Sequence, residues 1–246
     1  MTGLALSRRW FAGAFSASAV TALAACNDPK REIKDLKSAL QLAYGQKKFR
    51  EVLTLAQKGL ALSSDALGDK HPDTLYFAQS ISESYSELGD KKSAMAALSH
   101  EIKLRLGAGQ SERKLQGRRT LAIKFAEETS NIAVSIEHAM AISRDIGMSP
   151  GMDPQPVYRP ETSYPLSMVS SGVEADVTLD YAIDETGAVT TAKVAKATAT
   201  GFDQAAIAGI KKWRFTPMLK DGNPIPSSGH QFTLMFRLGR NAAPKG

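Results

Sequence analysis

Lys211-Lys212-Trp213-Arg214-Phe215-Thr216-Pro217 closes a short helix and opens an extended exit, and the last third of the chain is read outward from it. Upstream, Phe202, Ala205, Ala206, Gly209, Ile210 and Trp213 recur on one helical stripe, with alanine and glycine small enough to let the helix lie close to a sheet. Pro217 cannot continue a helix and biases Thr216 toward extended backbone, so Phe215 begins a strand-like exit. Further back, Val177, Leu179, Tyr181 and Ile183 alternate with polar neighbours, as in a strand with one buried face. Asp184-Glu185-Thr186-Gly187 then reads as a tight turn whose glycine supplies positive φ. A second strand is expected near Val189 to Ala195 and a final one from Gln231 to Leu238, while Tyr164-Pro165 is expected to begin an extended run. Trp213 and Phe215 are core residues in this reading, so the motif marks a fold and not a catalytic site.

The order β-β-α-β after a Tyr-Pro entry resembles the periplasmic C-terminal domain of the TonB energy-transducer family, over roughly residues 158 to 240. Tyr164, Pro165, Gly187, Trp213, Phe215 and Pro217 carry the resemblance. Two turns depart from the family pattern: Ala175 stands where glycine is usual, and Lys196 to Gly201 replaces a serine-rich turn, both small-for-small changes. The resemblance implies that the edge of the last strand is offered to an extended peptide of an outer-membrane receptor. On this chain that edge is Gln231, Phe232, Thr233, Leu234, Met235, Phe236 and Arg237, with Phe232, Leu234 and Phe236 packing inward and the others flanking a guest. Main-chain hydrogen bonds would do most of the binding, which explains why little sequence signature is needed. The same strand could instead complete the sheet or pair in a homodimer.

The preceding region reads as all-α with an internal period. Lys47 to Val52 turns into a helix holding Ala56 and Leu60; forty-two residues on, Gly89 to Ala94 turns into a helix holding Leu98 and Ile102. Leu36, Leu40 and Ala43 form one apolar stripe, and Ala78, Ile81 and Tyr85 the matching one. Paired helices that cannot bury their stripes alone resemble tetratricopeptide repeats, and Gly68 to Leu75 resembles the inter-repeat loop of their kinesin-light-chain type. A third pair from Leu115 to Ile146 keeps the spacing without the glycine and reads as a degenerate repeat or capping pair; a generic helical bundle is the alternative.

Pro150, Pro154, Pro156, Pro160 and Pro165 then interrupt the chain, which favours polyproline extension and a semi-rigid spacer. The expected division is a targeting segment over 1–25, tetratricopeptide-like repeats over 26–147, a proline-rich linker over 148–163 and a TonB-like domain over 164–240. The fold class is thus all-α repeats followed by a small α+β domain.

At the other end, Ser7-Arg8-Arg9-Trp10-Phe11 resembles a twin-arginine export signal, and Leu23-Ala24-Ala25-Cys26 has the spacing of a bacterial lipobox. Cys26 would then carry lipid as the first mature residue; the alternative is an ordinary secretory signal. The apolar stretch from Trp10 to Ala25 is short of the ~20 residues a spanning helix needs. An envelope protein tethered by lipid and facing the periplasm is expected. Cys26 is the one cysteine of 246 residues, so a lipidated chain has no thiol for a disulfide or a metal. Removal of Arg8 and Arg9 lowers the formal charge from +6 to +4, too little to argue for nucleic acid.

His71, His100, His138 and His230 share no metal-ligand spacing, and each reads as a surface or capping residue. No H-E-x-x-H or G-x-S-x-G occurs, and Gly107-Ala108-Gly109 lacks a phosphate-loop context. No enzyme activity, cofactor or metal is expected. What is expected is capture of protein partners by two modules, with a part in energised outer-membrane transport as the resemblance implies. The alternatives are a scaffold in which the small domain only packs or dimerises, and a true transducer whose N-terminal anchor stays uncleaved.

Overall fold

The computed structural model describes residues 28–238; Arg8, Arg9 and Cys26 lie outside them. Six helices come first: α1 (Pro29–Gly45), α2 (Phe49–Leu67), α3 (Pro72–Glu87), α4 (Lys91–Gly107), α5 (Glu112–Glu128) and α6 (Ile132–Asp145). Each packs on the next in sequence, the stacking that lets a repeat array bury stripes no helix could bury alone. Within the pairs, the turns close alike. Lys47, Gly89 and Ser130 adopt positive φ, at steps of forty-two and forty-one residues. The following amides of Lys48, Asp90 and Asn131 donate back to Ala43, Tyr85 and Ala126 at 2.8 to 3.0 Å. These are left-handed helix closures, so the third pair keeps its turn although Ser130 stands where glycine would cost less.

Leu36, Leu40 and Ala43 are buried as expected, but on α3 the stripe is wider. Ile81 and Tyr85 are only half-buried, whereas Thr74, Phe77, Ala78, Ser80, Ser82 and Ser84 are fully covered because α2 and α4 flank the helix on two sides. Serine tolerates this burial by finding an acceptor for its hydroxyl: those of Ser80 and Ser84 donate to the carbonyls of Tyr76 and Ser80 on the same helix, and that of Ser82 to a carboxylate of α4. At the α2–α3 crossing a methyl on Gly59 would sit 2.3 Å from the Phe77 ring.

The small domain follows as β1 (Pro156–Tyr158), α7 (Leu166–Ser170), β2 (Ala175–Ile183), β3 (Val189–Ala197), α8 (Asp203–Ile210), β4 (Arg214–Phe215), β5 (Met218–Lys220), β6 (Asn223–Ile225) and β7 (Ser227–Phe236). The main sheet is antiparallel with order β3-β2-β7. Alternate residues of β2 from Ala175 to Ile183 are buried, and α8 covers that face. Phe202, Ile210 and Phe215 join Val177, Leu179, Leu234 and Phe236 in the core.

Three expectations are corrected here. Tyr164-Pro165 does not open an extended run: Pro165, at φ −63°, caps the short helix α7, and its fixed φ is compatible with a helix start. Gly209 meets Thr162 of the incoming segment, where a methyl would lie 2.5 Å away, instead of the sheet. Residues 148 to 163 do not form a polyproline spacer. Their strand β1 pairs with β4, Gln155 and Thr216 exchange two hydrogen bonds of 2.8 Å, and Val157 is buried with Ile123, Ala139 and Ile142. Proline at the first strand position costs no ladder bond, so the same residues serve as a short docked strand.

The β5–β6 hairpin was not expected. Asp221 and Gly222, at φ 51° and 78°, form its turn. Met218, Leu219 and Ile225 pack on Met140, Met148 and Ile136, so the hairpin and β1 together cover the outer side of the last helix pair. Arg214 completes the contact with a 2.7 Å ion pair to Glu127, both side chains largely buried.

Candidate functional site

β7 has a neighbour on one side only among the described residues. Its register and the contacts of β2 show which groups remain unpaired. The Asp176 carbonyl accepts from the Thr198 amide, and the Asp176 amide donates to Thr198 Oγ1, so even-numbered β2 residues turn their main chain toward β3. Ala175, Val177 and Leu179 therefore face β7, opposite Phe236, Leu234 and Phe232. The intervening Gln231, Thr233 and Met235 direct their N–H and C=O groups to the open edge. Their side chains lie on the outer face, and Met235 is 70 % exposed, while Leu234 and Phe236 are buried and Phe232 is half-buried.

The two sheet edges differ. β3 carries Lys193 and Lys196, and its pairing with β2 is broken by two irregularities, devices that discourage a second strand. From Gln231 to Phe236 the pairing of β7 is regular and its side chains are uncharged. Arg237 at the end is held by Glu174 and Asp176. Alongside β7 lies a cavity of about 510 Å³, bordered by Pro160, Tyr164, Trp213, Phe232 and Leu234.

The motif residues build this wall. Tyr164 donates its hydroxyl to the Val173 carbonyl at 2.6 Å and sets its ring edge against Phe202 and Phe236. Trp213 meets Phe232 edge-on, Phe215 stacks on Tyr181, and Pro217 is buried. Gly187, at φ 80°, sits under Phe215. The sequence reading missed Arg159, whose guanidinium lies 4.6 Å over Trp213 and 5.3 Å over Phe232. Its place beside Pro160, a few residues before Tyr164, was the available signal.

A second polar feature underlies the helical module. Glu101 is fully buried, and its carboxylate accepts from Arg105, Arg118 and Ser82 at 2.6 to 2.8 Å. Glu83 nearby accepts from Tyr44 and Gln79, and burial together with that carboxylate pushes the Tyr44 hydroxyl up to about 12.

The histidines divide. His71 caps α3, accepting from the Asp73 amide, and His100 is exposed. His138 and His230 are buried, against expectation. Arg119 donates to Nδ1 of His138 at 2.8 Å, and Nε2 lies 3.1 Å from Ser99 Oγ. Burial and the Arg119 charge lower its pKa to about 4. His230 Nε2 is 2.8 Å from Ser227 Oγ, but Asp153 is 3.8 Å away and exposed, too far to orient the ring as a triad requires. Among the described residues no group of three His, Cys, Asp or Glu is placed to hold a metal, and no helix is long and apolar enough to cross a membrane.

Residues 160–238 match the family model for the C-terminal region of Gram-negative bacterial TonB proteins. Protein TonB of Yersinia enterocolitica is 28 % identical over 94 residues, 38 % of this chain and 34 % of that protein, so the chain spans about a third of the length of the curated relative it matches. The solved TonB2 protein of Vibrio anguillarum is 32 % identical over 37 % of this chain and 88 % of that chain, with a TM-score of 0.29. A Podosopora anserina structure described as having kinesin light chain, nearly identical TPR-like repeats is 13 % identical over 60 % of this chain and 64 % of that one, with a TM-score of 0.37. An all-helical module thus precedes a small sheet domain matching the TonB C-terminal fold.

Proposed function

We propose that this chain is a TonB-like envelope protein whose C-terminal domain captures an extended segment of a protein partner by strand addition at β7, in support of energised transport across the outer membrane. The observation that carries the reading is the open edge itself. Among the described residues Gln231, Thr233 and Met235 leave N–H and C=O groups unpaired on a regular, uncharged strand beside an aromatic cavity, while the opposite edge is guarded by lysines and bulges. An extended polypeptide satisfies such groups most directly. The test uses the full chain with synthetic peptides copied from periplasm-facing segments of outer-membrane receptors of the same cell. Slowed amide exchange at residues 231–237 supports the reading; unchanged exchange with every receptor peptide overturns it.

The proposal includes a periplasm-facing location, an export signal at Arg8 and Arg9, and a lipid on Cys26. A mature mass beginning at diacylated or triacylated Cys26 supports the tether, and an intact N-terminus would favour an uncleaved transducer instead. A second reading has one observation in its favour. β1 and the β5–β6 hairpin cover the last helix pair, so the small domain would serve as the packing cap of a repeat scaffold. In that case partner protection would appear on the helices and leave β7 unaffected.

A further inference from the structure

The cavity beside β7 does not end there. Arg159, Pro160 and Glu161 border it and also a second cavity of about 700 Å³, whose opposite wall is the α5 face of Gly117, Thr120, Leu121 and Lys124. Leu121 borders a third, of about 330 Å³, that reaches Tyr44, Glu83 and Glu87. A row of adjacent cavities therefore runs from the β7 edge to α5 and on to α3. Its walls are fixed to one another: β1 is paired with β4, Val157 is buried against α5 and α6, and Arg214 bridges to Glu127.

The run is not neutral. Lys124 and Arg159 are exposed and form no ion pair among the described residues. On the same rim Glu128 is held by Lys91 at 3.0 Å, leaving Glu161 as the opposing carboxylate. Cations therefore lead at the junction between the two modules. Arg159 is also poorly solvated on the side that faces Trp213 and Phe232, which strengthens its attraction to a carboxylate in a planar, two-pronged contact.

We infer that one extended polypeptide occupies both modules, pairing as a strand with Gln231, Thr233 and Met235 and continuing past Arg159 onto α5, where Arg159 and Lys124 receive an acidic side chain. The inference rests on strand addition at β7 and adds the partner's path and its charge. An open edge requires an extended main chain, and the junction selects for acid. Because the two walls are rigidly joined, the second contact follows the first at high effective concentration, so even a weak contact on α5 raises affinity.

The test measures binding of the full chain to synthetic peptides. One is an alternating threonine–valine strand of about six residues. The others extend it, at either end, by a similar length bearing two glutamates or two lysines. The glutamate extension is expected to tighten binding about tenfold or more, and Lys124→Glu, on the α5 wall away from β7, to erase most of that gain while the strand alone still slows exchange at 231–235. If the extension adds nothing, or lysine works as well as glutamate, while the strand alone still protects β7, the shared groove is overturned and strand addition stands. If no peptide protects β7, or if protection appears without peptide and rises with protein concentration, both are overturned, the latter in favour of a second copy of this chain.

Discussion

The amide of Phe215 donates to the carbonyl of Gly187 at 2.9 Å, and a methyl at Gly187 would lie 2.0 Å from the carbonyl oxygen of Phe215. The turn glycine and the Trp213-x-Phe215-x-Pro217 motif are therefore one constraint seen twice. Asp184 shapes the turn by accepting from the amides of Thr186 and Ala188, which brings Gly187 under β4. Stacked on Tyr181, Phe215 then fixes the exit of α8 over the sheet. A residue with a side chain would face both an unfavourable φ and an occupied site.

Gly187→Ala is accordingly expected to destabilise the small domain by about 3 kcal/mol or more, combining the left-handed penalty with displacement of β4. Denaturant unfolding followed by Trp213 fluorescence reads it. A loss below about 1 kcal/mol would show that the close approach is readily relaxed.

Glu127 and Arg214 join the two modules, and their charges are nearly out of water. Glu127 also accepts from Ser135, and Arg214 donates to Thr186 Oγ1 at 2.9 Å, so each charge is anchored on its own side. Glu127→Ala should cost about 3 to 5 kcal/mol because the guanidinium is left buried without a counter-charge. Replacing both by apolar residues, Glu127→Leu with Arg214→Met, should cost much less than the sum of the single changes. Additive losses in that double-mutant cycle would mean the pair is not coupled.

His138 gives the helical module a pH dependence. Its native pKa is lowered from 6.5 to about 4, first by burial, then by Arg119, with Glu112 opposing. Ser99 and Arg119 hold the neutral ring. Between these two pH values the unfolded chain binds a proton that the native chain refuses, so stability falls as pH drops from 6.5 toward 4. The full effect is about 3 kcal/mol, present as lost stability below pH 4 and absent above 6.5. His138→Gln should flatten that part of the curve in urea titrations; an unchanged slope would assign it to other groups.

The periodic parts of the fold were legible because burial imposes its own spacing. Val177, Leu179, Tyr181 and Ile183 lie on the covered face of β2 as their alternation required, and Leu36, Leu40 and Ala43 on that of α1. Contacts between modules were not legible. Val157 and Met218 show no periodicity, since each belongs to a three-residue strand too short to repeat; the strand partner of Val157 and the packing partner of Met218, Met140, are both distant in the chain. The prolines around Val157 signalled extension correctly but not whether the extended segment was docked. Asp221-Gly222 was a readable hairpin signal, overlooked beside the stronger motif at Trp213. His138 misled because a histidine on a helix gives no sign of the Arg119 that stabilises its neutral form from another helix.

The alternation of main-chain direction along β7 separates binding from stability at single residues. Met235 lies opposite Asp176, whose amide and carbonyl face β3, so the Met235 amide points to the open edge and contributes nothing to the β2–β7 ladder. Proline there removes an unused donor and places its ring where a guest strand would lie, an arrangement edge strands tolerate. Leu234 precedes it in extended backbone, as a residue before proline must. Met235→Pro should therefore change stability by less than about 1 kcal/mol while weakening capture of a strand-adding peptide by tenfold or more. Leu234→Pro is the contrast: its amide faces β2 and its side chain is buried, so it should unfold the sheet. If Met235→Pro binds as tightly as the unaltered chain, the guest does not pair with this edge, whatever else it touches.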